Sequence, residues 1–153
     1  EYAHEKDVIH LDIKPSNIMI TKDGNIKVLD FGISADLNID HNDPTMGSPM
    51  YMSPEQVSGE KLNSKSDIYS IGITFFQMLT AKFPHPVNGS RDDLFRSIIN
   101  GNLKKIKDFV PWSSIECQNL IDKATKKSTF LRYKDCKEFL EDVKELEKVY
   151  ESS

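Results

Sequence analysis

Apolar residues recur at helical spacing through the second half of the chain, and this pattern predicts four helices. The segment 66–80 is apolar almost all round, which is typical of a helix buried on most of its sides, and Ser64 or Ser66 can cap its start. Three further helices are predicted from shorter apolar stripes, over residues 92–100, 113–126 and 134–150. A mainly helical body is therefore expected in this half.

The first third of the chain instead contains short apolar pieces, at 8–9, 18–20 and 26–29. Asp23-Gly24 lies between the last two and has the residue types of a tight turn, so a β-hairpin is predicted there. The charged opening residues look like the end of a helix. Residues 34–54 show no periodicity, and so long a connection is usually functional or mobile. We predict an α+β fold, with a small β patch and a long loop against a helical body.

Composition restricts the classes of function. The 153 residues are 38% hydrophobic and 29% charged, the profile of a single globular domain. A net charge of -4 gives no support to binding of nucleic acid or of an anionic membrane. Cys117 and Cys136 lack metal-site spacing and are predicted to be free thiols. The apolar run 68–79 is too short to span a bilayer, and no secretion signal opens the chain, so a cytoplasmic location is the default expectation.

Three polar strings stand out against this background. The first, His-Leu-Asp-Ile-Lys-Pro-Ser-Asn at 10–17, lies between two strand-like pieces. The second, Asp-Phe-Gly at 30–32, follows the third apolar piece directly. The third occupies 47–55 and closes the long loop, and Asp67 follows near the start of the buried helix. Any one of these strings could arise by chance, but their order along the chain is informative.

In this order the strings resemble the signature motifs of the protein kinase family, H-R-D-x-K-x-x-N, D-F-G and A-P-E. The resemblance covers essentially the whole chain, because the string at 67–72 is similar to the family's D-x-W-x-x-G, with Tyr69 in place of Trp, and Arg132 is similar to its late arginine. It implies a protein-kinase-like fold in which residues 1–153 form a partial kinase domain, the C-terminal lobe. The glycine-rich loop and strand lysine of the N-terminal lobe are expected upstream.

Four of these positions carry residue types that phosphoryl transfer needs, since that reaction depends on positioning and on charge neutralisation. The resemblance assigns Asp12 to orienting the attacking hydroxyl and accepting its proton, and Lys14 to the γ-phosphate of ATP. Mg²⁺ takes oxygen ligands, which Asn17 and Asp30 can supply. Taken singly, Asp12 could cap a turn and Asn17 could be a satisfied turn residue. All four in register favour the catalytic interpretation.

The resemblance implies roles for further positions. Ser48 and Thr45 are placed in the substrate and activation loop, where Ser48 is expected to support the catalytic acid and lysine. Ser16 and Met19 are placed at the nucleotide, with Met19 on the floor of the adenine pocket. Structural roles are assigned to His10, Phe31, Glu55, Asp67 and Arg132.

Among these structural residues, Glu55 and Arg132 are expected to form a buried ion pair, while His10 and Phe31 are expected to pack. The other histidines of the chain lie in polar or loop contexts and are expected to be solvated; they are His4, His41 and His85.

Leu11 departs from the family, which has arginine before the catalytic aspartate. That arginine pairs with a phosphate on the activation loop. Leucine cannot, so we expect activity not to depend on such a phosphate and Thr45→Ala to leave most of it intact.

The predicted function is ATP-dependent phosphoryl transfer to serine or threonine of protein substrates, with ATP and Mg²⁺ as cofactors; Lys14-Pro15 resembles serine/threonine kinases. A truncated pseudokinase acting as a scaffold is the alternative, although the four intact polar positions argue against it. A small-molecule kinase of the aminoglycoside or choline type shares the Asp-x4-Asn string. Lys14, the Asp-Phe-Gly string and Pro54-Glu55 disfavour that reading.

Overall fold

The computed structural model describes residues 1–29, 48–86 and 88–151. A two-stranded antiparallel hairpin precedes a body of α-helices, and the predicted α+β fold is confirmed. The elements in chain order are β1 (Ile18–Ile20), β2 (Ile26–Val28), α1 (Pro54–Ser58), α2 (Ser64–Thr80), α3 (Arg91–Asn100), α4 (Ile115–Ala124) and α5 (Cys136–Glu151).

Side-chain caps set where several of these helices begin. The Asn63 side chain accepts from the backbone N–H of Lys65 at the start of α2, so the cap lies one residue before the predicted Ser64. Ser90 and Ser114 cap α3 and α4 in the same way. The sequence pattern thus located the helices to within a few residues.

Helix α1 was not predicted, because the segment around it lacks apolar periodicity. It begins with a capping box, in which Ser53 and Gln56 each hydrogen-bond the backbone of the other, and Pro54 occupies the first helical position. The Ser-Pro-Glu-Gln string is a recognisable signal for such a start, and it places Glu55 in a helix.

Helix α2 runs through the centre of the body and packs on α4. Gly72 allows this close approach, because a β-carbon there would lie 2.8 Å from the Thr125 methyl group and 2.9 Å from the Ala124 β-carbon. Helix α2 is fully buried at Ile68, Ile73 and Phe76. In its last turn, Met78 and Leu79 are exposed. The prediction of a helix buried on most sides is wrong for that turn.

The β-hairpin forms with the predicted turn. Ile18 pairs with Val28 and Ile20 with Ile26, and Gly24 in the turn has a φ of 78° that favours glycine. Ile20 and Ile26 are exposed. The apolar piece at 8–9 does not extend into a strand; Ile9 packs into a small core cluster instead.

The opening residues form a single 3₁₀ turn, His4–Lys6, where the end of a helix was predicted. Both cysteines are free thiols, as predicted. Within the described ranges, no helix has both the length and the apolar character needed to cross a membrane.

Candidate active site

The backbone of loop 10–17 is held by the helical body. Asp67, in the first turn of α2 and almost fully buried, accepts hydrogen bonds from the backbone N–H groups of His10 and Leu11, both at 2.8 Å. The carbonyl oxygen of Leu11 accepts from the Gln56 side chain at 3.1 Å. Two helices therefore fix the start of the loop through three side-chain contacts.

Leu11 adopts a left-handed backbone conformation, with φ of 64°, which costs energy for a residue with a side chain. Its side chain is buried with Ile9 and Leu62. The contacts that Asp67 and Gln56 make with the Leu11 backbone maintain this conformation. The result is a sharp change of chain direction immediately before Asp12.

His10 lies between the loop and the hairpin. Its Nδ1 accepts from the backbone N–H of Asp12 at 3.2 Å, so the ring proton is on Nε2, which donates to the Leu29 carbonyl oxygen at 2.9 Å. The ring is almost fully buried. It connects the loop to the end of β2.

Asp12, Lys14, Asn17 and Ser48 converge on one cluster, the loop cluster. Lys14 Nζ lies 2.8 Å from Asp12 Oδ2 and donates to Ser48 Oγ at 2.6 Å. The backbone N–H of Ser48 donates to Asp12 Oδ1 at 2.9 Å. Asn17 Nδ2 donates to both the carbonyl oxygen of Asp12, at 2.8 Å, and its Oδ2, at 3.2 Å. Residues 36 positions apart are thereby joined around one carboxylate.

Asp12 is kept ionised by these partners. Burial alone would raise the pKa of its carboxyl group, but the hydrogen bonds from Lys14 and Ser48, with the charge of Lys14, outweigh burial and lower that pKa. An ionised, mostly buried carboxylate can orient a hydroxyl group and accept its proton. The adjacent ammonium group supplies positive charge.

Glu55 and Arg132 form a second ionic centre deeper in the body. The guanidinium group of Arg132 contacts both carboxylate oxygens of Glu55, at 2.6 and 2.7 Å. The Arg132 side chain is 0% exposed and the Glu55 side chain is 3% exposed. Ser66 Oγ also donates to Glu55, at 2.8 Å. Burial would raise the pKa of Glu55, but Arg132 outweighs it and lowers the pKa.

The remaining predicted site residues lie apart from the loop cluster or outside the described ranges. Ser16 is exposed in the 3₁₀ turn Pro15–Asn17, and Met19 is exposed on β1. Three predicted positions, Asp30, Phe31 and Thr45, fall outside the described residues. Within the described part of the chain, no group of three or more His, Cys, Asp or Glu residues could hold a metal ion.

Sequence reasoning missed the contacts that support the loop from a distance. Gln56 hydrogen-bonds Leu11, which lies 45 positions earlier in the chain. In the sequence, only the capping-box string that contains Gln56 indicates a fixed position for its side chain. Two histidines expected to be solvated are not. His4 is half-buried and hydrogen-bonded to Asp67, and His85 is buried between Tyr69 and Ser97. The third, His41, lies outside the described residues.

The contacts of His85 explain why it stays inside the protein. Its Nε2 lies 3.1 Å from the Tyr69 hydroxyl group and its Nδ1 lies 3.0 Å from Ser97 Oγ. Burial, with the nearby charge of Lys127, lowers the pKa of His85 to about 4, so the ring is neutral at pH 7. A neutral, fully paired histidine is stable in a core.

Known proteins share this sequence pattern over two thirds of the chain or nearly all of it. Serine/threonine-protein kinase PrkC of Bacillus subtilis is 38% identical over 146 residues, covering 94% of this chain and 22% of that protein. The probable serine/threonine-protein kinase CPE1738 of Clostridium perfringens is 36% identical over 155 residues, covering 97% and 22%. The probable serine/threonine-protein kinase mkcF of Dictyostelium discoideum is 42% identical over 100 residues, covering 65% and 15%.

The chain thus spans about a fifth of the length of the first two relatives. The model of the protein kinase domain matches residues 1–145. With the helical body and the hairpin in place as the resemblance implied, the chain belongs to the protein kinase domain family.

Proposed function

We propose that this chain is the catalytic-loop part of a serine/threonine protein kinase, which transfers the γ-phosphoryl group of ATP to hydroxyl groups of protein substrates. The observation that carries this proposal is the loop cluster, in which Asp12 contacts Lys14, Asn17 and the backbone of Ser48. Names of the relatives support the same reaction class.

Asp12 is proposed to orient the substrate hydroxyl group and to accept its proton. Its Oδ1 is anchored by the backbone N–H of Ser48, and its ionised state follows from the lysine beside it. Lys14, whose side chain is 24% exposed against 8% for Asp12, is proposed to meet the γ-phosphate with its flexible ammonium group.

The donor set fits a hard cation bound through oxygen. Because the Asn17 amide nitrogen is committed to Asp12, its amide oxygen is the atom that can face a metal ion. We propose Asp30 as the second ligand, from its position after β2. When bound, Mg²⁺ and ATP supply the positive charge and the phosphoryl group.

Several further assignments are part of the proposal. Met19 and Ser16 are proposed to lie at the nucleotide, and the exposure of Met19 on β1 is compatible with a ligand covering it. The N-terminal lobe, which in the family holds the rest of the nucleotide, is proposed to lie upstream. A cytoplasmic location remains a prediction, supported by the two free thiols.

The test is transfer of labelled phosphate from ATP to a generic protein substrate by the full-length protein. Asp12→Asn keeps the size of the side chain but removes its charge, so transfer should fall by roughly 10²–10⁴-fold. Asp23→Asn, in the exposed turn of the hairpin, is the matched control and should transfer at the wild-type rate. Equal transfer by the wild type and Asp12→Asn would contradict the proposal and favour the scaffold.

A further inference from the structure

A concave cavity of about 430 Å³, the lysine cavity, lies where α3 and α4 end, and none of its lining residues belongs to the loop cluster. Its charged lining residues are three lysines and one acid, namely Lys105, Lys126, Lys127 and Asp122. They come from two lysine-rich segments, 104–107 and 122–127, that are separate in the sequence and meet only in the fold. Three positive charges against one negative charge leave the wall with a net charge of +2, in a chain whose net charge is -4.

Side-chain contacts fix the walls of the lysine cavity relative to one another. Gln118, on α4, accepts from the backbone N–H of Ile106 at 2.7 Å and donates to Asp122 at 2.7 Å. Lys127 Nζ donates to two backbone carbonyl oxygens in the last turn of α3, at 3.3 and 2.5 Å. A site whose walls are already held in place loses less entropy when a ligand binds.

The positive charges on this wall are only partly compensated. Lys105 Nζ lies 2.8 Å from Asp122 Oδ2, whereas the exposed Lys126 side chain makes no ion pair within the described ranges. Lys127 is half-buried, and burial together with the nearby charge of Arg132 lowers its pKa, so its positive charge is held there at an energetic cost. An anion in the cavity relieves this cost, because opposite charges attract strongly where water is partly excluded.

The shape and the lining of the lysine cavity indicate which kind of anion fits. A concave site of this size admits the side chains of a peptide but not the flat surface of an anionic bilayer. Its described lining residues include no aromatic side chain on which a nucleic-acid base could stack, and no arginine that could bind a phosphate through two parallel hydrogen bonds. The overall negative charge of the chain also opposes a long nucleic acid, whose phosphates extend beyond the cavity.

We propose that the lysine cavity binds an acidic peptide segment, rich in Asp and Glu, of a partner protein. Carboxylates of the segment contact Lys105 and Lys126, and Lys127 adds positive charge from the wall. Asp122 opposes binding, because its charge has the same sign as that of the ligand. The site goes beyond the proposed function and uses no residue of the loop cluster, so peptide binding and phosphoryl transfer are measured separately and can fail separately.

The experiment titrates the full-length protein into a fluorescein-labelled octaglutamate peptide at low ionic strength and follows fluorescence anisotropy, with labelled octaglutamine as the neutral probe. The wild type should bind octaglutamate at least about tenfold more tightly than octaglutamine. The double variant Lys105→Gln with Lys126→Gln should weaken octaglutamate binding by roughly tenfold, since each lysine loses a charge contact with the ligand. The double variant Lys22→Gln with Lys61→Gln is the matched control. It removes two exposed lysines outside the cavity and should bind within about twofold of the wild type.

Asp122→Asn tests the same site in the opposite direction. The amide keeps an acceptor oxygen for Gln118 and removes the negative charge, so octaglutamate should bind about threefold more tightly than to the wild type. Asp23→Asn, in the exposed turn of the hairpin, makes the same change in net charge and should leave the affinity unchanged.

Equal weakening by the two double variants would overturn the proposal, because general charge would then be the cause. It would also be overturned, in favour of a nucleic acid, if unlabelled oligouridylate displaced the labelled peptide at a lower concentration than unlabelled octaglutamate. Urea denaturation shows whether the double variant at the cavity is folded. If it is not, the comparison of Asp122→Asn with Asp23→Asn decides, and equal affinities of these two variants would refute the site.

Discussion

Two carboxylates of this protein each face a basic side chain, and they are built in different ways. At the sealed centre, Arg132 binds both oxygens of Glu55. Its remaining N–H groups donate to backbone carbonyl oxygens of three residues, namely Lys65, Lys126 and Lys127. Every donor direction of the guanidinium group is used, so the pair can hold neighbouring segments together but cannot accept a substrate.

At the loop cluster, Asp12 faces a lysine rather than an arginine. The ammonium group is compact and mobile on its stem, and the Lys14 side chain keeps contact with solvent. The Asp12 carboxylate also accepts a hydrogen bond from the backbone N–H of Ser48, which lies in a distant segment of the chain. An ion pair thus serves structure where both side chains are fully buried, and it is available for chemistry where one partner can move.

Replacing Lys14 should have a large effect on activity and a smaller effect on stability. Lys14→Met keeps the length of the side chain but removes the charge that we propose faces the γ-phosphate, so phosphate transfer should fall by roughly 10²–10³-fold. The free energy of unfolding should fall by less than it does when Arg132 is replaced, because the Lys14 side chain is 24% exposed and that of Arg132 is 0% exposed. Transfer assays and urea denaturation of the same preparation measure both. A stable Lys14→Met variant with wild-type transfer would show that the loop cluster and the Glu55–Arg132 pair do not differ in function.

Replacing Arg132 should have the opposite profile. Arg132→Leu leaves Glu55 charged and buried without its partner, so the free energy of unfolding should fall by about 3–5 kcal/mol. Urea denaturation checks this. Arg96→Leu is the matched control, since Arg96 pairs with Asp93 on the exposed surface of α3, and it should denature at the wild-type midpoint. Equal midpoints for the two variants would show that the sealed centre does not support the fold.

A third carboxylate, Asp67, has a partner whose charge depends on pH. The pKa of His4 is raised from 6.5 to about 9 in the folded protein, so the stabilisation is complete below pH 6.5 and is lost as the pH rises through 9. Below pH 6.5 the free energy of unfolding of the wild type should be larger than that of His4→Gln by about 2 kcal/mol. This value is smaller than the full pKa shift of His4 implies, because the His4 side chain is only half-buried. Denaturation of both proteins at pH 6 and pH 9.5 should show the difference shrinking. A difference that grows with pH would contradict the pairing.

The smallest effect is expected at Thr45. Leu11 is buried among apolar side chains and has no charge with which to bind a phosphorylated loop. Thr45→Ala should therefore change the transfer rate by less than about twofold, within the range expected when no charge-assisted contact is lost. Transfer by the full-length variant measures this. A collapse of activity would mean that another basic group replaces the arginine that the family has at position 11.

Local patterns in the sequence predicted the elements that depend on neighbouring residues. Apolar periodicity located α2 to α5, and Asp23-Gly24 predicted the hairpin, because both signals operate within a few residues. Helix α1 was missed because its signal was the capping box rather than periodicity.

The candidate site could be assembled only by resemblance, since its contacts join distant parts of the chain. No local pattern indicates that Ser48 reaches Asp12, or that Arg132 reaches Glu55 across 77 positions. His4 shows the limit most clearly. Its polar surroundings in the sequence suggested a solvated side chain, whereas the fold places it against Asp67, 63 positions away.

The most direct test of the account compares one acid from each centre, using Asp12→Asn and Glu55→Gln. The measured quantity is the rate of phosphate transfer per folded molecule, with the folded fraction taken from urea denaturation. Asp12→Asn should keep a near-wild-type midpoint and lose roughly 10²–10⁴-fold in rate. Glu55→Gln should denature at lower urea and keep its rate per folded molecule. A folded but inactive Glu55→Gln, or a fully active Asp12→Asn, would contradict the separation of chemistry from structure.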